Sequence, residues 1–298
     1  MNNVTFLGPV GATFSHDAYD MLAEIYDAPQ VIADGAHTNC IPASVNTEIL
    51  KLIAQHGGYG AVAMETKAEA RVTETLESFV KLLQTYSNGT FCPFHVSGAI
   101  KMKLHFCLMV RQDVSRESIK GIIAHPKALG ACKEHIASMK FITINTSSNG
   151  EAARLVAEDD RYASYAALGP KSASLKYGLH VLDETFEDSE AITTFFLITP
   201  TTHKVVTGKR NRALIVFKTV HKPAALVRAL EPFKKLNLIQ IHSAHAGNHT
   251  YHFVIEIDVA ERQLAVFKRA MRRFKRRILW WRRVEQHIAF GPFEVLSR

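Results

Sequence analysis

VTFLGPVGATFS, residues 4–15, is the stretch on which the reading of the fold turns. Val4 to Leu7 is a short apolar run with strand propensity, and Gly8-Pro9-Val10-Gly11 is a glycine-bearing loop. Ser15 then stands where it would cap a helix whose Ala18, Met21, Leu22 and Ile25 share one face. Strand, loop and helix in that order open a βαβ unit, and the free N–H groups at such a helix start attract anions. Outward from this stretch the rhythm returns. Ser44 stands to cap a helix carrying Val45, Ile49 and Leu52, Gly58 to Met64 reads as a strand, and Thr75 to Leu83 as a helix. The alternation predicts an α/β region built on a mainly parallel sheet.

Lys103 to Val110 opens a second block. Gly121 to Ala124 is a strand leading through His125-Pro126 into a helix around Ala128 to His135. Phe141 to Asn145, then Ser147 or Ser148 as cap, then Glu151 to Glu158 repeat the unit. Tyr162 to Leu168 and Phe195 to Thr199 are later strands. Two blocks in tandem predict a cleft between two lobes, the usual place for a small ligand. The polar stretch Pro200 to Arg212 reads as a linker. Beyond it come a strand from Ala213 to Val220, a helix opening at Pro223 and two paired strands, Asn237 to Ser243 and Thr250 to Val259. A helix through Arg276 and a strand from Val284 to Phe290 complete βαββαβ, the ferredoxin-like order. The expected division is 1–199, a two-lobed region, 200–212, a linker, and 213–298, a small C-terminal domain.

Composition narrows the function classes. The 298 residues suffice for two or three compact units, and 47% hydrophobic with 21% charged residues is ordinary globular usage. No apolar run approaches the roughly 20 residues that span a bilayer, and MNNVTFLGPVG lacks a basic segment followed by an apolar one. Cys40, Cys92, Cys107 and Cys132 show no CxxC spacing, so reduced thiols and a cytoplasmic location are expected. The net charge of +8 is concentrated between Arg262 and Arg283, where ten Lys or Arg residues surround Trp280 and Trp281. Such a stripe can bind nucleic acid. Leu264, Phe267, Met271 and Phe274 at helical spacing favour a solvated helix face instead, so neither nucleic acid nor membrane is expected as a partner. His242, His245, His249 and His252 invite a metal reading, but strand spacing scatters them over two faces and no carboxylate or cysteine joins them closely. No metal and no cofactor is expected.

Several segments carry a family pattern. Leu7 to Ser15 resembles an opening LGPxGTFS with one extra residue, and Glu65 lies where a PIENS element has its Glu, with Glu69, Val72 and Thr75 continuing it. Ala124-His125-Pro126-Lys127-Ala128-Leu129 resembles SHPQAL, Tyr177-Gly178-Leu179 resembles YGL, and Thr194-Phe195-Phe196-Leu197 stands where TRFL belongs. Ala224-Ala225-Leu226-Val227 resembles GALV, and Phe290-Gly291-Pro292-Phe293 resembles a closing LGSYP. In order and spacing over nearly the whole chain, these segments resemble the prephenate dehydratase family with its attached ACT domain.

The resemblance implies a periplasmic-binding-protein-like pair of α/β lobes around a cleft, with prephenate or a similar small carboxylate as ligand. It implies phenylpyruvate, carbon dioxide and water as products, an amino-acid effector at the ACT domain, and a homo-oligomer formed by ACT pairing. Thr194 would donate a hydrogen bond to the leaving hydroxyl, or Thr193 would in a register shifted by one, with Glu65 as a further catalytic residue. Gly8, Pro9, Gly11, Thr13, Ser15, Thr66, Lys67, His125 and the position of Phe195 would bind substrate. Ala225, Leu226, His242 and Ser243 would form the regulatory site.

The departures are specific. Either register loses the arginine of TRFL, a guanidinium where a dianion should be held. Thr66 and Lys67 replace Asn and Ser, and Lys67 offers a charge from another wall of the cleft. Ala124 replaces Ser, and Phe106 replaces the His of an HxL element beside His105. His242-Ser243-Ala244-His245 replaces the ACT site's ESRP, which puts phenylalanine control in doubt. Three functions follow. A dehydratase with an altered anion clamp is the leading one. A decarboxylase that does not aromatise prephenate is favoured by the missing arginine, and a catalytically silent small-molecule-binding protein by the departures together.

Overall fold

A computed structural model describes residues 2–31, 38–66, 73–86, 92–203, 211–245, 250–281 and 284–297. The chain opens with β1 (Asn2–Thr5), α1 (Phe14–Tyr26), β2 (Thr38–Cys40), α2 (Asn46–His56), β3 (Tyr59–Thr66), α3 (Thr73–Tyr86) and β4 (Phe94–Leu104). β1 pairs in parallel with β2 and β3. A second sheet follows, built from β5 (Cys107–Val110), β6 (Gly121–Ala124), α4 (Pro126–Ala131), α5 (Lys133–Ser138), β7 (Ile142–Asn145), α6 (Asn149–Glu158), β8 (Tyr165–Gly169), α7 (Lys171–Tyr177) and β9 (His180–Asp183). Its order is β7-β6-β8-β5-β9. β10 (Ala191–Pro200) then returns to the first sheet, antiparallel to both β3 and β4.

The C-terminal part runs β11 (Arg212–Thr219), α8 (Ala225–Leu230), β12 (Asn237–His245), β13 (Tyr251–Asp258), α9 (Leu264–Trp281) and β14 (Val284–Ser297). Its strands do not form a sheet apart. They extend the first one in the order β12-β13-β11-β14-β4-β10-β3-β1-β2. β14 is the joint: its first half pairs with β11, and Glu294 to Ser297 pair in parallel with Gly98 to Lys101 of β4.

Several expectations need correction. The second block opens at Cys107 rather than Lys103, because β4 ends at Leu104 in one sheet and β5 begins at Cys107 in the other. The two lobes are not simple tandem blocks, since β10 brings antiparallel pairing into the first. Thr13, not Ser15, caps α1: its backbone is extended, and its hydroxyl accepts from the His16 N–H. Val45 precedes α2 without a side-chain cap, while the Ser44 N–H donates to Glu48 Oε2 at 3.2 Å. α8 starts at Ala225 rather than Pro223, after Ala224 in the left-handed region (φ 60). The last strand continues through Phe290-Gly291-Pro292-Phe293.

One apolar core lies between α1 and the sheet, with Phe6, Tyr19, Leu22, Ile100 and Leu197. Another lies on the opposite face, where Val62, Phe79 and Phe196 meet Leu214, Val216 and Phe290 of the C-terminal part. α3 packs across β3, β11, β13 and β14, so one helix roofs both regions. A third core holds Phe233, Phe267, Met271 and Phe274 beneath the C-terminal sheet, with Leu226 and Leu230 packed on its margin. The basic residues of α9 from Lys268 to Arg276 are exposed opposite that stripe, as on a solvated amphipathic helix. Among the described residues, no helix is long and apolar enough to cross a membrane.

Candidate functional site

A cavity of about 130 Å³ opens where residues 7–15, the start of β10 and the starts of α4 and α6 meet. One wall is the loop before α1. The Gly8 N–H donates to Ala43 O at 3.0 Å, and a Cβ on Gly8 would lie 2.6 Å from Pro42 Cβ, so this approach requires glycine. The Gly11 N–H donates to His16 Nδ1 at 2.7 Å, with Gly11 in the left-handed region (φ 70). Burial, and then the nearby Lys176, lower the His16 pKa to about 4, which keeps the ring neutral and able to accept. Thr13 donates to Leu7 O at 2.7 Å, and Ser15 to Ala61 O at 3.2 Å. The loop is therefore tied down from behind, and Thr13, Phe14 and Ser15 face the cavity.

The second lobe supplies the opposite rim. Ser148 caps α6 by accepting the Glu151 N–H at 3.1 Å. A Cβ on Gly150 would lie 2.7 Å from both Ala12 O and Pro9 Cδ, so α6 begins directly against the first lobe's loop. The His125 N–H donates to Asn149 Oδ1 at 3.0 Å, and His125 Nδ1 accepts the Lys127 N–H at 3.2 Å. That second bond leaves Nε2 as the protonated nitrogen of a neutral His125 ring. His125, Lys127, Ser148 and Asn149 all line the cavity. Helices α1 and α6, of 13 and 10 residues, both start at its wall, and each start carries about half a positive charge.

The remaining lining is largely apolar, with Leu104, Phe106, Ile192 and Phe195 beside Phe14. Phe14 and Phe106 pack edge to face at 5.1 Å. Of the two neighbouring threonines, Thr193 lines the cavity. Thr194 is buried but does not line the cavity, and the pairing of β10 with β3 shifts register between Thr194 and Phe195. The register puts Thr66 opposite Thr193 and Glu65 opposite Thr194 at the end of β3. Lys67 lies outside the described residues.

Gly8, Pro9 and Gly11 shape the loop without lining the cavity, whereas Thr13, Ser15, His125 and Phe195 line it. Ala225, Leu226, His242 and Ser243 belong to the C-terminal part. Ala225 is buried at the start of α8, Leu226 packs on the third core, and His242 and Ser243 sit on the edge strand β12. His242 and His245 fall on opposite faces of β12, and His249 lies outside the described residues.

Lys127, Ser148 and Asn149 join the site although the sequence reading assigns them no site role. Lys127 carried a signal there, since it stands at the glutamine of SHPQAL. Asn149 carried none beyond following a serine cap.

The family model described as prephenate dehydratase matches residues 4–203. A bifunctional chorismate mutase/prephenate dehydratase of Stutzerimonas stutzeri is 27% identical over 266 residues, 85% of this chain. The match spans only 64% of that longer relative. The crystal structure of a prephenate dehydratase from Arthrobacter aurescens in complex with L-Phe superposes with a TM-score of 0.74 at 22% identity, covering 97% of this chain and 89% of that one. A protein described as a novel type of quorum quenching acylase superposes with a TM-score of 0.72 at 15% identity, covering 100% of this chain and 98% of that one. At such identities the structural likeness speaks for the fold alone.

Proposed function

The chain belongs to the prephenate dehydratase family, and from that premise we propose that it converts prephenate to phenylpyruvate, carbon dioxide and water. The observation that carries this reading is the convergence of two helix starts, Lys127, His125 and Thr193 on one largely apolar cavity. Prephenate presents two carboxylates, a ketone and a ring hydroxyl. The starts of α1 and α6 and the Lys127 ammonium supply attraction for the carboxylates. The apolar walls favour a transition state in which the charge of the departing carboxylate spreads into the ring.

When the ring carboxylate leaves as carbon dioxide, its electron pair enters the ring and expels the hydroxyl, which leaves as water once protonated. The Thr193 hydroxyl, or Nε2–H of His125, serves as the hydrogen-bond donor at that oxygen. Such assistance is worth roughly 10²–10⁴-fold. Glu65 and Thr66 lie at the end of β3 in register with Thr194 and Thr193 of β10.

The same reading makes residues 1–199 two periplasmic-binding-protein-like lobes around a cleft, 200–212 a linker and 213–298 an ACT domain that pairs between subunits. Its βαββαβ order and edge strand β12 support this. An amino-acid effector would bind near Ala225, Leu226, His242 and Ser243, with contacts other than ESRP would offer. The setting proposed is the phenylalanine branch of aromatic amino-acid biosynthesis in the cytoplasm.

The test is direct. Purified chain incubated with prephenate at neutral pH should form phenylpyruvate, followed by absorbance, faster than the spontaneous reaction. A rate no greater than the blank would count against the reading.

A further inference from the structure

We propose that Lys127 is the carboxylate clamp of this cavity. The inference rests on the reading of the cavity as a prephenate site. Phe195 is 3% exposed and brings only carbon to the wall. Among the described lining residues, Lys127 is the one lysine or arginine.

A dianion entering a largely apolar cavity loses hydration that neutral walls cannot replace. Two helix starts offer about +0.5 each, or about +1 against −2. One ammonium brings the total to about +2. Among the described lining residues, Lys127 adds a full positive charge to what the two helix starts offer.

The geometry suits the role. The Lys127 backbone is anchored at the start of α4, where its N–H donates to His125 Nδ1. Its side chain is 29% exposed, and Nζ lies 3.9 Å from Glu74 Oε2, itself half exposed. An ion pair at that distance and exposure is weak, so exchanging Glu74 for a substrate carboxylate costs little at that contact. A lysine is a point charge on a flexible stem, not a planar fork. The clamp therefore fixes charge more than orientation. It favours ligands with a carboxylate near the α4 start and tolerates variation in the group it holds.

The experiment compares the wild type with Lys127→Gln and Lys127→Arg. For Lys127→Gln, KM for prephenate should rise about tenfold to a hundredfold, the loss of one charge-assisted contact, with kcat within threefold. Lys127→Arg should recover most of the affinity, and the salt dependence of KM should shrink in Lys127→Gln. Unchanged KM in Lys127→Gln, with a wild type that turns over, overturns the proposal. So does an equal loss in Lys127→Arg, which would point to shape rather than charge.

Calorimetric binding of prephenate to the three proteins separates this inference from the dehydratase reading. If the wild type binds but leaves prephenate intact, affinity that falls in Lys127→Gln and returns in Lys127→Arg still upholds the clamp. Equal affinity in all three, or no binding to the wild type, overturns it.

Discussion

Asn149 Oδ1 accepts the backbone N–H of His125 at 3.0 Å, and this one bond holds the starts of α6 and α4 on a common rim of the cavity. Asn149→Ala leaves that part-buried donor without its acceptor, at a cost of about 1–3 kcal/mol. Urea unfolding should show that loss, and KM for prephenate should rise. Asn149→Asp keeps an acceptor but sets a negative charge where an anion binds. It should unfold near the wild-type midpoint while losing more affinity than Asn149→Ala. A variant Asp that binds as well as wild type would separate the rim from anion binding.

Of the two threonines of β10, Thr193 lines the cavity and Thr194 does not, which divides their expected roles. Thr193→Ala should lower kcat by about 10²-fold or more if its hydroxyl assists the leaving group. Thr194→Ala, at a buried position outside the cavity lining, should change kcat less than threefold and act mainly on stability. The reverse ranking in steady-state assays would show that the other register is the working one.

Ala224 sits in the left-handed region ahead of α8 with φ 60, a conformation that costs a residue with a Cβ about 1 kcal/mol relative to glycine. Ala224→Gly should therefore raise the urea midpoint, less the entropy that glycine adds to the unfolded chain. A lowered midpoint would contradict the strain.

Behind the loop, His16, Asp17 and Asp20 set opposing pH dependences. Burial, and then Lys176, lower His16 to about 4, and burial, and then Lys275, lower His287 likewise. In the unfolded chain each imidazole takes up its proton first, so their contribution is full above about 6.5 and is lost as the pH falls towards about 4. Burial raises Asp17 to about 6 against the pull of the Ser172 hydroxyl, and burial with the neighbouring Asp17 raises Asp20 to about 6. Their cost to the fold is present above about 6 and is relieved on acidification towards 3.8. The opposed slopes flatten the wild-type profile between pH 6 and 4. Asp17→Asn should gain most at pH 8 and lose stability more steeply below pH 6, by about 1 kcal/mol more than wild type after solvent screening. Parallel urea-midpoint profiles would refute this assignment.

Much of this architecture is legible in the residues themselves. The strand, glycine loop and helix of residues 4–26 and the βαββαβ order beyond Arg212 follow from apolar spacing and turn chemistry. Which sheet a strand joins does not follow. Leu104 and Cys107 lie three residues apart in one apolar run yet belong to different sheets, and only tertiary pairing distinguishes them. Period-two patterning also cannot tell Thr193 from Thr194, because a slip of one residue exchanges the faces. The capping of α1 by Thr13 depends on an extended backbone at that residue, and the rival Ser15 is taken up by Ala61 O. Lys127 and Asn149 became site residues through long-range packing of the second lobe on the first, through contacts such as Gly150 against Pro9 and Ala12.

Product mass after incubation with prephenate tests the central claim most directly. Loss of both carbon dioxide and water, at a rate above the blank and sensitive to Thr193→Ala, is the predicted result. Loss of carbon dioxide alone, or prephenate returned intact, would contradict it.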